Sequence, residues 1–407
     1  MLPALPVLVL VLGALTAFGP LAIDMYLPSF PAIAAEFGVE SARVQLTLAA
    51  YFVGMATGQL IYGPLSDRYG RKPPLYAGVC LFVAASVACA LAHRIEVLIA
   101  FRFVQALGGC AGLVIARAVV RDYFDARESA RVLSLLMLVM GVAPMGAPVL
   151  GGWLLVAFGW RATFWTLAGF AALCLAAVIL FLDESLPPSR RLRHDFGQIA
   201  GVYKQLGSDR QFIAHALSGS LVFAGMLAYI SGSPFVFMQL YGVAPEHYGL
   251  YFAINAFGVI AGSQINARLV KHVGIDRILD VAFGAVLVAS LLLLAAAATG
   301  IGGFTGLLVP LFVCVAAVGF VGPLTTVRSM APYGAIAGSA SALLGTLQFV
   351  TAACSGALVG IVMGVWPTRS AVPMALVMAA CGAGAMFFHR RAGALPIPAA
   401  PSRSSAT

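Results

Sequence analysis

The chain has 407 residues, of which 61% are apolar and only 10% charged, and its mean hydropathy is +0.98. That composition excludes a water-soluble domain and marks a polytopic membrane protein. The net charge of +9 reports membrane topology and contact with anionic lipid, and gives no reason to invoke nucleic acid.

At about 20 residues per spanning helix, the sequence divides into twelve apolar segments: 5–33, 44–63, 73–93, 96–117, 131–157, 160–182, 211–239, 247–269, 277–298, 301–324, 336–363 and 371–389. The runs lack the roughly ten-residue alternation of an outer-membrane barrel, so the expected fold is all-α, with twelve transmembrane helices. Segment 1 has no basic stretch before it and continues through Asp24 and Tyr26, well beyond a signal-peptide core. It reads as a spanning helix, with no cleavage expected at Ala34-Ala35.

Between segments 2 and 3, the run from Gly63 to Lys72 packs Asp67, Arg68, Arg71 and Lys72 into ten residues that cannot sit in lipid. The run reads as a tight turn at Gly70 that stops translocation. It also reads as a latch, in which Asp67 accepts from a helix N-terminus or pairs with a base such as Arg121. Segment 4 carries Arg102 and Gln105 on one face. Beyond it, Arg121, Asp122, Asp125, Arg127, Glu128 and Arg131 read as a solvated loop. In segment 5, Pro144 and Pro148 remove two backbone donors from one face, and together with Gly146, Gly151 and Gly152 they predict a kink or hinge.

The longest hydrophilic interval, from Asp183 to Arg210, contains Pro187-Pro188 and splits the segments six and six. The expected organisation is an N-terminal half over 1–183, a linker over 184–210, a C-terminal half over 211–390 and a tail over 391–407. A shift of 204 residues supports a repeat, because it places Gly58 on Gly262, Leu65 on Leu269, Arg68 on His272 and Gly70 on Gly274. Asp67 falls on Lys271, so the acidic residue is not repeated. Small residues at i, i+4 recur as Gly54/Gly58, Ala143/Ala147/Gly151, Gly258/Gly262 and Ala337/Ser341/Gly345, and they are expected to form the interface between halves.

Of the 24 basic residues, 19 fall in loops 2–3, 4–5, 6–7, 8–9 and 10–11 and the tail; Arg43, Arg94, Arg161 and Arg369 lie on the other side. The positive-inside rule then puts both termini in the cytoplasm. The seven cysteines lie within apolar segments without a CxxC pair, and the six histidines are scattered. No metal site, no disulfide and no enzyme constellation is expected from them. The absence of a GxxxxGK[ST] loop argues against ATP as the energy source and leaves an ion gradient, with protons or sodium as the ion.

Asp24 and Arg102 are the two ionisable groups deepest in apolar segments. An ion there costs about 2.5–3.5 kcal/mol on insertion scales, which makes each a functional candidate. Counting 1.5 Å per residue puts them roughly 13 and 9 Å deep in the outer half, so a direct pair is sterically allowed. The expected roles are proton exchange at Asp24, with Arg102 as the cation that balances it and Gln105 orienting the guanidinium. A structural ion pair, or an Asp at a helix break before Pro28, is the alternative. Tyr26, Gln59, Gln105, Tyr229, Ser231, Ser233, Gln239, Asn255 and Gln348 are candidates for lining a central cavity suited to an uncharged or amphipathic molecule.

The residues Gly63, Leu65, Asp67, Arg68, Gly70, Arg71 and Lys72 resemble the loop 2–3 signature of the major facilitator superfamily. Arg102 to Gly109 resembles the helix 4 motif of its proton-driven exporters. Gly146 to Gly152 matches part of their helix 5 antiporter motif, with Pro144 standing where that motif has glycine. The runs Ile23–Pro28, Arg121–Tyr123, Ser233–Val236, Tyr251–Asn255 and Gly338–Gly345 are similar to the bicyclomycin-resistance (Bcr/CflA) subfamily. The resemblance implies two six-helix halves related by pseudo-two-fold symmetry. It further implies antiport of a small drug against protons out of a bacterial cytoplasm, by a monomer without cofactor. The residues themselves leave open proton-coupled uptake or export of a small metabolite.

Overall fold

The computed structural model describes residues 5–191, 196–366 and 369–392. Most of the expected tail, and Arg193 and His194 of the expected linker, lie outside the described residues. These residues form helices joined by short turns, with no strand among them.

Helix 1 covers Pro6–Phe37, and helices 2 to 6 cover Ser41–Tyr69, Lys72–Ala90, Ile95–Tyr123, Ala126–Phe158 and Arg161–Phe181. A linker helix, Phe196–Ser208, precedes helix 7, Arg210–Leu240. Helices 8 to 12 are Pro245–Leu269, Ile275–Thr299, Gly303–Met330, Ala337–Val365 and Val372–Ala392. Eleven of these are long and apolar enough to cross a membrane. The remaining one, helix 8, carries Glu246, Gln264, Asn266 and Arg268, yet its 25 residues still reach the roughly 30 Å of a bilayer core.

The helices outrun the apolar segments. Helices 2, 4 and 10 end at Tyr69, Tyr123 and Met330, each six residues past the predicted ends at 63, 117 and 324. Most of the charged Gly63–Lys72 run is therefore helical. The turn is confined to Gly70, whose φ of +94° suits glycine, and to Arg71. The predicted loop 4–5 likewise shrinks to Phe124 and Asp125, because Asp125 caps helix 5 by accepting from Glu128 N at 2.8 Å. Charge marked where apolar sequence stops, but helices continue into the polar layer.

Helix 5 passes Pro144 and Pro148 without a break in its 33 residues, so the predicted hinge is absent as an interruption. The break occurs in helix 1, which unwinds at Met25–Tyr26 and tightens to a 3₁₀ turn over Leu27–Ser29. Pro28 forces that turn.

The small-residue pairs divide between two jobs, which corrects the expectation that all of them join the halves. A Cβ on Gly54 would meet Phe103 O of helix 4 at 2.4 Å, and one on Gly262 would meet Ala316 O of helix 10 at 2.6 Å. Those glycines pack helices within one six-helix set. Across the two sets, Gly152 abuts Pro245 O of helix 8, and Gly345 abuts the Gln59 side chain of helix 2. Helix 2 runs along helix 11 and helix 5 along helix 8, so these two seams join the sets. Cys89, Cys110, Cys174, Cys314 and Cys381 are buried as expected, whereas Cys80 and Cys354 face outward.

Candidate functional site

Arg102 is fully buried. Its guanidinium donates to Gln105 Oε1 at 2.6 Å and to Ala22 O at 3.0 Å, the latter a carbonyl in the last turn before the helix 1 break. Gln105 Nε2 donates to Ser86 Oγ at 2.7 Å, which ties helix 4 to helix 3. The rings of Tyr51 and Tyr26 stand 4.3 and 4.6 Å from the Arg102 carbon centre, close enough for cation–π attraction. The predicted role of Gln105 in holding Arg102 is thus present in the geometry. The predicted cavity role of Gln105 and Tyr26 is absent. Gln105 is locked in this network, and Tyr26 is buried beside Arg102 with its hydroxyl on Thr47 Oγ1 at 3.0 Å.

Asp24 is only 4% exposed. It makes no hydrogen bond or ion pair with any described residue, and the direct pair with Arg102 that their depths allowed is not formed. The two do share a depth, since Arg102 binds the carbonyl two residues before Asp24. The guanidinium takes the Ala22 carbonyl of that same helical turn and leaves the Asp24 carboxyl without a partner. It lies within electrostatic reach of Tyr51 of helix 2 and of Tyr229 and Tyr248 of helices 7 and 8. Asp24 is therefore a buried carboxyl of the first six helices close to the boundary with the last six, where the Leu27–Ser29 turn packs on helices 7 and 8.

Those phenols are held in place. Asn255 Nδ2 donates to Tyr229 Oη at 3.1 Å, and Ser233 Oγ lies 2.7 Å from Tyr248 Oη. Phe252 stacks on Tyr229 at 5.8 Å. Tyr229, Ser233 and Asn255, listed from sequence as candidates, do come together here. Tyr51 and Tyr248 join them here through contacts between helices that the sequence pattern does not encode. The Tyr51 hydroxyl and Asn255 Oδ1 are buried without a partner among the described residues. Ser231 is also buried with an unpaired Oγ, and Gln348 of helix 11 is half-buried.

Two cavities indent the bundle where the six-helix sets meet. At the end that carries Gly70, a cavity of about 640 Å³ is bounded by Gln59, Asp67, Arg117, Arg121, Tyr203 and Ser341. At the opposite end, one of about 710 Å³ is bounded by Glu40, Ser41, Gln239 and Arg369. Gln239 also accepts from Ser41 Oγ at 3.4 Å, across the two sets. Along the helix 2–helix 11 seam, the Phe52 and Phe349 rings stack at 6.4 Å, and Phe223 of helix 7 lies edge-on to Phe349 at 6.1 Å.

The charged run at Gly70 is organised around Arg71. Its guanidinium donates to Asp67 at 2.5 Å, Asp122 at 2.8 Å and Ser66 Oγ at 2.9 Å. Burial opposes the Arg71 charge, but Asp122 and Asp67 outweigh it and raise its pKa above the usual arginine value. Glu184, just past helix 6, accepts from Arg71 N and Lys72 N at 2.8 and 3.1 Å and so caps helix 3. A Cβ on Gly70 would strike that carboxylate at 2.6 Å. Asp67 is thus paired within the first six helices, and Arg121, its expected partner, faces the cavity. Arg68 and Lys72 lie beside Tyr69 and Tyr76.

Residues 12–356 match the model of the Major Facilitator Superfamily. The chain is 39% identical to an uncharacterized MFS-type transporter, YdgK, of Bacillus subtilis over 91% of both chains. It is 31% identical to a bicyclomycin resistance protein homolog of Haemophilus influenzae over 92% of this chain and 93% of that one. The multidrug resistance protein MdtL of Shigella dysenteriae is 34% identical over 60% of this chain and 61% of its own length. Among solved structures, a D-xylose-proton symporter superposes with a TM-score of 0.72 at 16% identity, covering 93% of this chain and 96% of that one. A bacterial homolog of the human lysosomal transporter Spinster, inward-facing and occupied, gives 0.71 at 16% identity, covering 94% and 96%. The twelve-helix bundle, its two seams and these relatives agree: the chain belongs to the Major Facilitator Superfamily and is a multi-pass membrane transporter of small molecules.

Proposed function

We propose that the protein exports small, mostly uncharged or amphipathic drugs, of the bicyclomycin or phenicol kind, across the bacterial inner membrane in exchange for protons. The observation that carries this reading is Asp24, a buried carboxyl without a salt-bridge partner, at a helix break that packs on the opposite six-helix set. An unpaired buried carboxylate is costly, and taking up a proton removes that cost. Protonation therefore favours the packed arrangement around Tyr51, Tyr229 and Tyr248, and release favours opening to water. Arg102 acts as a positioning residue that fixes the helix 1 break through Ala22 O. The relatives whose names denote bicyclomycin and multidrug resistance support the substrate class and the outward direction.

In this reading residues 1–183 and 211–390 rock against each other, with 184–210 as the linker, both termini cytoplasmic and one chain sufficient. Proton entry is worth about 2.3 kcal/mol per 100 mV, or roughly a fiftyfold substrate gradient at 1.4 kcal/mol per tenfold. No further cofactor is needed. The cavity at the Gly70 end is the cytoplasmic entrance. The latch closes it when Asp67 reaches the first turn of helix 11, which forms the facing wall. The test is expression in an efflux-deficient bacterium challenged with bicyclomycin, phenicols and sulfonamides, with and without an uncoupler. Uncoupler-sensitive resistance is expected; uncoupler-sensitive accumulation of a metabolite without resistance would replace export by uptake.

A further inference from the structure

The cavity at the Gly70 end holds a charge imbalance that neither the proton chemistry nor the latch uses. Arg117 and Arg121 lie one turn apart on helix 4 and both line it. Neither guanidinium makes an ion pair with a described residue. Like charges at i, i+4 repel, and Arg117 is half-buried in a helix long and apolar enough to span. Asp67, the one acidic residue of the cavity wall among the described residues, is already held by Arg71. Nothing on the wall therefore answers the two arginines.

Facing them is the start of helix 11, where Gly338, Ser339 and Ser341 line the cavity. That helix begins without a side-chain cap at Ile336, so its positive end adds to the same field. The remaining wall includes Val114, Leu133, Met137 and Val202, which are apolar. A volume of about 640 Å³ is in the range of sites for drug-sized molecules.

We infer that Arg117 and Arg121 seat the anionic group, a carboxylate or phosphate, of an amphipathic organic ligand whose apolar body lies against Val114, Leu133 and Met137. The inference rests on this cavity being the substrate entrance, and it adds to the uncharged substrates a class of amphipathic molecules that present an anion. Guanidinium–carboxylate pairing at a partly desolvated site provides the selectivity. A substrate dissolved in the cytoplasm and a lipid headgroup share this chemistry.

The test uses the full-length protein in phosphatidylcholine nanodiscs and two fluorescent probes that differ by the charge and one methyl group, dansyl-norleucine and its methyl ester, with binding to empty discs subtracted. The carboxylate probe is expected to bind about tenfold more tightly than the ester. Arg117→Gln combined with Arg121→Gln should erase the preference, whereas Arg43→Gln, at the opposite end beside Glu96, should keep it. Phosphatidylglycerol discs separate the sources: a preference that persists there assigns the seat to dissolved ligands, and one abolished there assigns it to lipid headgroups. Equal affinity for the two probes in phosphatidylcholine, or a preference that survives the double substitution, overturns the inference. Uncoupler-sensitive efflux of the ester from cells reads the transport function separately, so an absent anion preference with intact efflux leaves the export reading standing.

Discussion

Asp24 and Arg102 sit at the same depth of the bundle without touching. Arg102 grips Ala22 O at 3.0 Å in the turn before the helix 1 break, while Asp24, in the same turn, stays unpaired within electrostatic reach of Tyr229 and Tyr248. One buried charge is built into the first six helices, and the other lies at the boundary between the two sets. This separation suits a division of labour in which the arginine is fixed and the carboxyl changes state.

Arg102→Lys tests the fixed role. Lysine keeps the charge but lacks the planar fork that reaches Gln105 and Ala22 O together, and it stacks less well between Tyr26 and Tyr51. A loss of about 1–3 kcal/mol is expected, read as a lower unfolding temperature in detergent.

Glycine substitutions separate packing within a six-helix set from packing across the seams. Gly54→Val places a methyl against the Phe103 backbone and should destabilise the protein by about 1–3 kcal/mol. Gly152→Val presses on Pro245 at a seam that the transport cycle must open and close. It should also lower the unfolding temperature, and it should cut drug efflux by far more than Gly54→Val does.

At the Gly70 end, Arg71 and Arg121 should behave differently although both are arginines of the charged layer with acidic residues within four positions. Arg71→Ala leaves Asp67 and Asp122 unpaired, with an expected cost of about 3 kcal/mol. Arg121→Ala should change stability by less than about 0.5 kcal/mol. Thermal unfolding of the two variants side by side provides the comparison.

Asp209, at the start of helix 7, supplies a pH dependence. It accepts from the Tyr333 hydroxyl and from Gln211 N and Phe212 N. The Tyr333 bond first, then the backbone bonds against the opposing effect of burial, hold its pKa below the usual carboxylate value. The unfolded chain takes up that proton more readily, so the stabilisation is present above the usual carboxylate range and is lost as pH falls through the folded value. Asp209→Asn should flatten the drop in unfolding temperature between pH 5 and 3, those limits being about the range where carboxylates titrate.

Much of this was readable from sequence, and the misses share a cause. Hydropathy located all twelve helices, because lipid demands apolar length. It placed their ends too early at Tyr69, Tyr123 and Met330, where helices leave lipid but keep their backbone bonds. The linker helix was missed because its apolar face, with Val202 and Leu206 against Phe212 and Leu344, is short. Asp24 and Arg102 stood out as charges in apolar runs. That they stay unpaired did not, since Arg102 takes Gln105 and the Ala22 carbonyl instead. Glu184 as the cap of helix 3, and Arg117 as a cavity residue, depend on contacts between distant helices that no local pattern encodes.

The most direct test is Asp24→Asn in proteoliposomes, comparing drug accumulation driven by a pH gradient with gradient-free exchange of labelled for unlabelled drug. The account predicts that accumulation disappears while exchange and the unfolding temperature are retained, because the asparagine fixes the neutral state without disturbing the Arg102 network. Gradient-driven accumulation at the wild-type level would contradict it.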